Sequence, residues 1–265
     1  MLIVGELINA SRKQIRAAIE NQDTETIQQI SKEQAANGAD YIDVNAGVFV
    51  GKEAQHLKWL VTTVQEAVDT PCCIDSPDPG AIEAALSVHR GTPMINSISM
   101  EKERYEALMP IIAGTDYKMV ALCMSDAGMP ETADARLSIA EEMVDNLVKN
   151  QIPLENIYVD PLVQPLSTND SYGTEFLDSI ERIKTQFPGI HTICGLSNIS
   201  YGLPERMLLN QTFMVMAITK GLDGAIVNPL DTKMMAAIVT AETLAGKDEW
   251  CAKYLEAYRQ KRFEF

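Results

Sequence analysis

Long hydrophobic runs are missing from this sequence. No apolar segment approaches the ~20 residues that a membrane-spanning helix requires. The first residues, Met-Leu-Ile-Val-Gly-Glu, have neither the basic region nor the long apolar run of a secretory signal peptide. The sequence therefore predicts a cytoplasmic protein with no membrane partner.

Basic residues are few compared with acidic ones. The chain has 22 lysines and arginines against 37 aspartates and glutamates, which gives a formal net charge of −15. This excess of negative charge repels nucleic-acid phosphates and anionic membranes. We therefore expect no nucleic-acid partner, although a local cluster of cations could still hold an anionic substrate.

Cysteine and histidine are scarce and scattered. The five cysteines include no C-x-x-C pair, and their odd number does not indicate a disulfide framework. The three histidines lie far apart and outside any metal-binding motif. No glycine-rich phosphate-binding signature occurs either, so a dinucleotide or ATP site has little support. The sequence predicts no protein-bound metal, and a site assembled from distant residues stays open as an alternative.

Short apolar runs alternate with longer amphipathic runs along the whole chain, which is typical of βα units around a parallel sheet. The length of 265 residues is close to the ~250 of one (β/α)₈ barrel. We predict an α/β fold, a single TIM barrel over residues 1–265 with an added C-terminal helix over Trp250–Arg262. The eight predicted strands are Leu2–Ile8, Tyr41–Asn45, Cys72–Ile74, Pro93–Ile95, Met119–Met124, Ile157–Val159, His191–Cys194 and Ala225–Val227.

Polar residues end several of the predicted strands, namely Asp43, Asn45, Asp75, Asn96, Asp160, Ser197 and Asn198. A single Asp or Asn after a strand is commonly a helix cap or turn former. Several together favour a shared site, because the carboxyl ends of barrel strands meet at one mouth. Carboxylates accept parallel N–H bonds, which suits a flat heterocycle with an amino-pyrimidinone edge. No Cys-His, Ser-His or Lys nucleophile arrangement stands out, so the site is expected to position and polarise its substrate.

The chain resembles a known family through a series of segments that follow one another in the expected order. They are Ile-Val-Gly-Glu-Leu-Ile-Asn, Asp-Val-Asn-Ala-Gly, Ile-Asp-Ser, Met-Ile-Asn-Ser, Val-Asp-Pro-Leu and Gly-Leu-Ser-Asn-Ile-Ser. Together they resemble the methyltetrahydrofolate:corrinoid methyltransferases, in the free-standing form of acetogens and related anaerobes. This family is part of a wider pterin-binding barrel group, which includes dihydropteroate synthase and the folate domain of cobalamin-dependent methionine synthase.

The resemblance implies a TIM-barrel enzyme that binds tetrahydrofolate or methyltetrahydrofolate as substrate. It implies methyl transfer, in either direction, between the folate and the cobalt of a corrinoid (cobalamin). The corrinoid is expected on a separate corrinoid protein, because this chain has no Asp-x-His-x-x-Gly signature. The resemblance also implies a homodimer. The C-terminal helix offers an apolar face for it, and the alternative is that this face covers the barrel bottom; its residues are Trp250, Tyr254, Leu255 and Tyr258.

The resemblance also implies roles for individual residues. Asp75, Asn96 and Asp160 would hydrogen-bond the pterin ring. Asn198 would be the catalytic residue and would hydrogen-bond the methyl-bearing ring nitrogen. Because an amide is not acidic, Asn198 would donate a hydrogen bond as negative charge develops on that nitrogen. The proton itself would come through water and a carboxylate that the sequence does not identify.

Five further residues complete the expected substrate site. Gly195 and Ser197 would shape the pocket beside the pterin. Met124 and Ile226 would form apolar walls. Arg206 would lie near the benzoate-glutamate tail, where a cation is favourable, and its alternative is a solvated helix charge.

Two segments depart from the family pattern. Ser125-Asp126 stands where the acetogen enzymes have an Asn-Lys pair, and the stretch from Tyr201 is less polar than expected. The partner and the direction of transfer therefore stay open. One alternative is a dihydropteroate synthase, but its Lys-Ser-Arg loop and Arg-x-His end are missing, since the last strand runs into Val227-Asn-Pro-Leu. Two further alternatives are a metal-dependent barrel enzyme and a non-catalytic subunit that binds folate or docks a corrinoid.

Overall fold

A closed barrel of eight parallel strands forms the centre of the computed structural model, which describes residues 1–263. The strands pair in chain order, and β8 pairs with β1 to close the ring. The predicted TIM barrel is confirmed. Residues 264 and 265, the last two of the predicted domain, lie outside the described residues. The strands are β1 Leu2–Asn9, β2 Tyr41–Asn45, β3 Cys72–Asp75, β4 Met94–Met100, β5 Lys118–Ser125, β6 Ile157–Asp160, β7 His191–Gly195 and β8 Gly224–Val227.

Helices surround the barrel and follow the strands. In α3, Leu57, Leu60 and Val64 are fully buried, so the apolar residues that recur at helical spacing face the sheet. None of the helices described within residues 1–263 combines the length and the apolar character needed to cross a membrane. The helices are α1 Lys13–Glu20, α2 Thr24–Ala36, α3 Glu53–Ala67, α4 Pro79–Leu86, α5 Lys102–Ile112, α6 Ala133–Lys149, α7 Tyr172–Gln186, α8 Arg206–Lys220, α9 Thr232–Leu244 and α10 Ala252–Arg259.

An apolar layer fills the interior of the barrel. Its buried members are Val4, Tyr41, Cys73, Met94, Val120, Tyr158 and Ile193. Because side chains alternate along a strand, the residue two positions further on points to the same side. On strands β2 to β7 these next inward positions are Asp43, Asp75, Asn96, Leu122, Asp160 and Gly195. The barrel is thus closed below by apolar side chains, and four of these six positions above them carry polar side chains.

The fourth strand is longer than the sequence predicts. The prediction stops at Ile95, whereas β4 continues to Met100 through register shifts on either side of Ile98. Asn96 therefore lies within the strand, where it pairs with Asp75 of β3. This pairing places the Asn96 side chain in the barrel interior instead of in a loop.

The C-terminal helix is shorter than predicted. A 3₁₀ turn spans Glu249–Cys251, and α10 begins at Ala252 and ends at Arg259. Trp250 and Cys251 have φ angles of 56° and 53°, which an α-helix cannot contain. The carboxylate of Asp248 accepts hydrogen bonds from the backbone of Lys253 and Tyr254, at 3.0 and 3.1 Å, and so satisfies the free amides at the start of α10.

Candidate functional site

Carboxyl and amide side chains alternate across β2, β3 and β4 at the barrel mouth. Asn45 Nδ2 donates to Asp75 Oδ2 at 2.9 Å, and the backbone N–H of Gly47 donates to Asn45 Oδ1 at 3.0 Å. Asn96 Nδ2 donates to Asp43 Oδ1 at 3.5 Å. These contacts orient both amides. They also leave the second carboxylate oxygen of Asp75 and the amide oxygen of Asn96 for a ligand.

Two carboxyl groups, the buried Asp43 and the half-buried Asp75, lie close together in this half of the mouth. Burial raises the pKa of Asp43 well above its usual value, and the neighbouring charge of Asp75 raises it further. Burial also raises the pKa of Asp75, although the hydrogen bond from Asn45 and the charge of Arg104 oppose the shift. Desolvation and mutual repulsion therefore favour the protonated form of Asp43.

We expect Asp43→Asn to raise the thermal midpoint of the ligand-free protein at pH 7.5 by about 2–4 °C, which corresponds to roughly 1 kcal/mol. The unfolded chain ionises Asp43 near pH 4, below the pKa in the folded state, so the carboxyl lowers stability as the pH rises. The gain from the variant should shrink towards zero at pH 4. Thermal unfolding from pH 4 to 8, with Asp69→Asn as an exposed control, checks this. A gain that does not change with pH would contradict it.

Asp160 lies at the end of β6, on the other side of the mouth. Its Oδ1 accepts the backbone N–H of Leu162 at 2.8 Å, and the N–H of Gly195 also hydrogen-bonds the carboxylate. Burial raises the pKa of Asp160 to about 7, while the two amide donors and the charge of Arg136 act in the opposite direction. Asp160 therefore changes its charge close to neutral pH.

Open space lies beside Asp160, over the end of β7. Gly195 pairs with Ile226 of β8, and a Cβ atom at Gly195 would meet no atom within 4 Å. Ile226 packs partly buried against the apolar layer, and Met124 lies partly exposed near the end of β5. This space is the part of the mouth in which a flat ring could lie against apolar side chains.

A short 3₁₀ turn, Leu196–Ser200, carries Ser197 and Asn198 at the rim of the mouth, and both are exposed. The amide group of Asn198 makes no side-chain hydrogen bond to another of the described residues. Arg206, the first residue of α8, donates through Nη2 to the Ser197 carbonyl at 2.7 Å and through Nε to Ser200 Oγ at 3.0 Å. Arg206 thus braces the turn that presents Asn198, and its expected place near the folate tail stays a prediction.

Sequence reasoning missed three residues of this region. Glu53 of α3 is buried and accepts a hydrogen bond from Ser76 Oγ. Arg104 donates to the backbone directly after Asp75, and Arg136 donates to the backbone directly after Asp160. The available signal was that each arginine lies in the first turn of a helix, where the helix dipole disfavours a cation.

Comparison with known proteins assigns the chain to a class. Residues 5–228 match the family described as pterin binding enzyme. The chain therefore belongs to the pterin-binding enzymes. It is similar to the methylcorrinoid:tetrahydrofolate methyltransferase of Eubacterium limosum, with 38% identity over 98% of this chain and 97% of that protein. It is also 29% identical, over 86% of its length, to 20% of the methionine synthase of Mycobacterium tuberculosis.

Solved structures share the barrel at much lower sequence identity. A dihydropteroate synthase from Coxiella burnetii in complex with pteroic acid has a TM-score of 0.73 at 12% identity, covering 93% of this chain and 94% of that one. The enzyme from Anaplasma phagocytophilum with bound 6-hydroxymethylpterin-monophosphate has a TM-score of 0.69 at 18% identity, covering 92% and 99%. At these identities the likeness shows the fold alone.

Proposed function

We propose that this protein is a methyltransferase that moves a methyl group between tetrahydrofolate and the cobalt of a corrinoid. The main support is the layer of polar side chains above the apolar core of the barrel, formed by Asp75, Asn96 and Asp160. This layer occurs in a chain that is 38% identical, over nearly its full length, to a methylcorrinoid:tetrahydrofolate methyltransferase. The relative's name also supports the direction from methylcorrinoid to tetrahydrofolate. The dihydropteroate synthase alternative rests only on a shared fold at 12–18% identity.

In this proposal the carboxylates bind the amino-pyrimidinone edge of the pterin. An ionised Asp160 accepts N–H groups of the ring, with charge assistance. Asn96 contributes an amide oxygen whose direction is set by its contact with Asp43. Ile226 and Met124 contact the ring faces in the open space next to Gly195.

Methyl transfer is an in-line displacement in either direction. From methyltetrahydrofolate, cobalt(I) attacks the methyl carbon, the nitrogen–carbon bond breaks with its electron pair on nitrogen, and that nitrogen takes a proton. In the reverse direction the ring nitrogen gives up its proton as it attacks the methyl carbon, and the cobalt–carbon electron pair returns to cobalt. Asn198 donates a hydrogen bond to the nitrogen where negative charge develops, which stabilises the transition state more than the bound folate.

A corrinoid protein is the proposed macromolecular partner. Val50, Met129 and Tyr201 lie in the loops after β2, β5 and β7, at the barrel mouth, and are 91%, 62% and 64% exposed. Such a group of exposed apolar side chains around a site suits a protein that docks transiently over the mouth. The acidic net charge, −15, adds a preference for a partner surface with basic residues.

We further propose a single-domain cytoplasmic protein that forms a homodimer through the C-terminal region. Trp250 is 87% and Tyr258 69% exposed, so these side chains do not cover the barrel bottom. A cleft of about 450 Å³ between α8, α9 and α10, lined by Leu244 and Tyr254, continues this apolar surface. A second copy of the chain would bury both features.

We expect the double variant Trp250→Ser, Tyr258→Ser to sediment as a monomer, because it removes the two most exposed aromatic side chains of this surface. The wild-type protein and the control Val148→Ser, on the exposed face of α6, should sediment as dimers. Sedimentation velocity over a range of concentrations distinguishes the two. A monomeric wild type would refute the homodimer.

The test of the function is methyl transfer between methylcobalamin and tetrahydrofolate, and between methyltetrahydrofolate and reduced free cobalamin, each followed by absorbance in the presence of a chelator. Formation or loss of methylcobalamin supports the proposed reaction. Folate binding without transfer leaves a folate-binding subunit, or an enzyme that requires its native corrinoid protein. Activity that disappears only with chelator favours the metal-dependent alternative, and absence of folate binding refutes the proposal.

A further inference from the structure

Four of the nine arginines lie at the amino-terminal ends of helices at the barrel mouth. They are Arg12, Arg104, Arg136 and Arg206. A helix begins with a partial positive charge and free N–H groups, so a cation is electrostatically unfavourable there. Arg12 pairs with Glu6 at 2.8 Å. The other three have no carboxylate partner within hydrogen-bond distance in the described part of the chain, and all three donate to backbone carbonyls at the rim of the site.

Arg136 has the largest fully buried side chain among the described residues. Its Nε donates to the Pro161 carbonyl at 2.7 Å, and its Nη2 donates to the Leu162 carbonyl at 3.4 Å. Its Nη1 donates to the Glu131 carbonyl at 3.0 Å. One guanidinium thus joins the loop that follows β5 to the loop that follows β6, directly behind Asp160. Burying a charge that is hydrogen-bonded only to neutral carbonyls lowers the stability of the fold. A functional role of Arg136 would explain why this arrangement is present.

The backbone that Arg136 holds also determines the surroundings of the Asp160 carboxylate. Leu162 has a φ of 67°, which is strained for a residue with a side chain, and its N–H donates to Asp160 Oδ1. Holding the Leu162 carbonyl helps keep this N–H directed at the carboxylate. The ionisable groups that face Asp160 are Arg136 from α6, Cys123 from β5 and Cys194 from β7, while Tyr172 and Glu175 of α7 lie near Arg136. Arg136 is the one cation among them.

Arg104 holds backbone carbonyls next to β3 and β4 in a similar way. Its Nη2 donates to the Ser76 carbonyl at 2.9 Å, and its Nε donates to the Ser97 carbonyl at 2.7 Å. These carbonyls belong to the residues immediately after Asp75 and Asn96. The charged and titratable groups around Asp75 are Asp43 from β2, Cys73 from β3, Glu53 from α3 and Arg104 from α5.

We propose that Arg136 is a positioning residue for Asp160: it holds the backbone that follows this residue and places a positive charge beside its carboxylate. Arg104 has the same role for Asp75 and Asn96. The inference rests on the function proposed above. It adds that two arginines outside the site position the side chains that accept hydrogen bonds from the pterin. Burial disfavours the ionised form of the Asp160 carboxylate, and the positive charge of Arg136 acts against this effect together with the N–H groups of Leu162 and Gly195.

The experiment measures tetrahydrofolate affinity by calorimetry from pH 5.5 to 8.5 for wild type and variants. Arg136→Gln removes the charge, and we expect the pH midpoint of binding to rise by about one unit. Arg136→Lys keeps the charge, but its compact ammonium does not reproduce the planar guanidinium that reaches carbonyls on two loops, so we expect about tenfold weaker binding with an unchanged midpoint. Arg182→Gln on α7, at a half-buried residue paired with Asp134 and Asp178, is the control and should match wild type.

Several outcomes overturn the inference. A folded Arg136→Gln variant with wild-type affinity and midpoint refutes the role of Arg136. If the Arg136 variants do not fold, the affinity and the pH midpoint of folate binding are measured for Arg104→Gln, at a half-buried position. Wild-type values in this variant refute the inference. If the wild-type protein binds no folate, the proposed function fails separately. The ionisation of Asp160, followed by carboxyl ¹³C NMR in the ligand-free proteins, then decides, and an equal midpoint in wild type and Arg136→Gln overturns the inference.

Discussion

Asn198→Ala is expected to slow methyl transfer by about 100-fold while leaving the dissociation constant for the folate within a factor of about three. The reason is that the amide group of Asn198 lies exposed at the rim, where it can donate to the ring nitrogen as negative charge develops. A neutral donor gains most when its acceptor becomes charged, so the transition state loses more than the bound substrate.

Single-turnover kinetics with saturating folate, together with calorimetric binding, separate the two effects. Asn37→Ala, at the carboxyl-terminal end of α2 on the opposite face of the barrel, is the matched control and should leave both quantities unchanged. Equal losses in rate and affinity would indicate that Asn198 binds the ground state, and would remove its assigned role.

Asp160→Asn is expected to weaken folate binding at pH 8 by roughly 1–3 kcal/mol, the scale of a lost hydrogen bond to a charged group. The same variant should reduce the pH dependence of binding. Because the pKa of Asp160 in the ligand-free protein is about 7, the wild-type carboxylate is mostly ionised at pH 8 and mostly protonated at pH 6. Wild-type affinity should therefore fall below pH 7, by up to about tenfold per pH unit.

Calorimetric titrations of both proteins across this range provide the measurement. Asp145→Asn, on the exposed face of α6, tests whether loss of any one acidic residue has a similar effect. If Asp160→Asn binds folate as tightly as wild type at pH 8, the Asp160 carboxylate does not bind the folate. If both proteins lose affinity equally on acidification, another group such as Asp75 carries the pH dependence.

The positions of Asp75, Asn96 and Asp160 at the barrel mouth could be predicted in large part from local pattern. Asp75 and Asp160 each end a short apolar strand, and strands that alternate with helices over this length close into a barrel. Asn96 was also expected at the mouth, although its strand continues past it to Met100. Local pattern did not detect this extension, because the bulged part of β4 interrupts the apolar run.

The C-terminal region illustrates a different limit. The apolar stripe of Trp250, Leu255 and Tyr258 predicts an amphipathic helix, and most of that helix is present. Its start depends on Asp248, whose carboxylate caps the amides of Lys253 and Tyr254. A cap five residues before its partner becomes evident only when the backbone of the intervening turn is known.

By itself, the sequence determined the class of fold, the set of polar residues at the mouth and the family, because each depends on the order and spacing of residues along the chain. The tertiary structure alone decided which of these groups are buried together and which cations stand behind them. Arg136 lies 24 residues from Asp160 in the chain, yet its guanidinium is held by the two residues that follow Asp160. The pKa of Asp160 depends on this burial and on a neighbouring charge, and both arise only when the barrel closes.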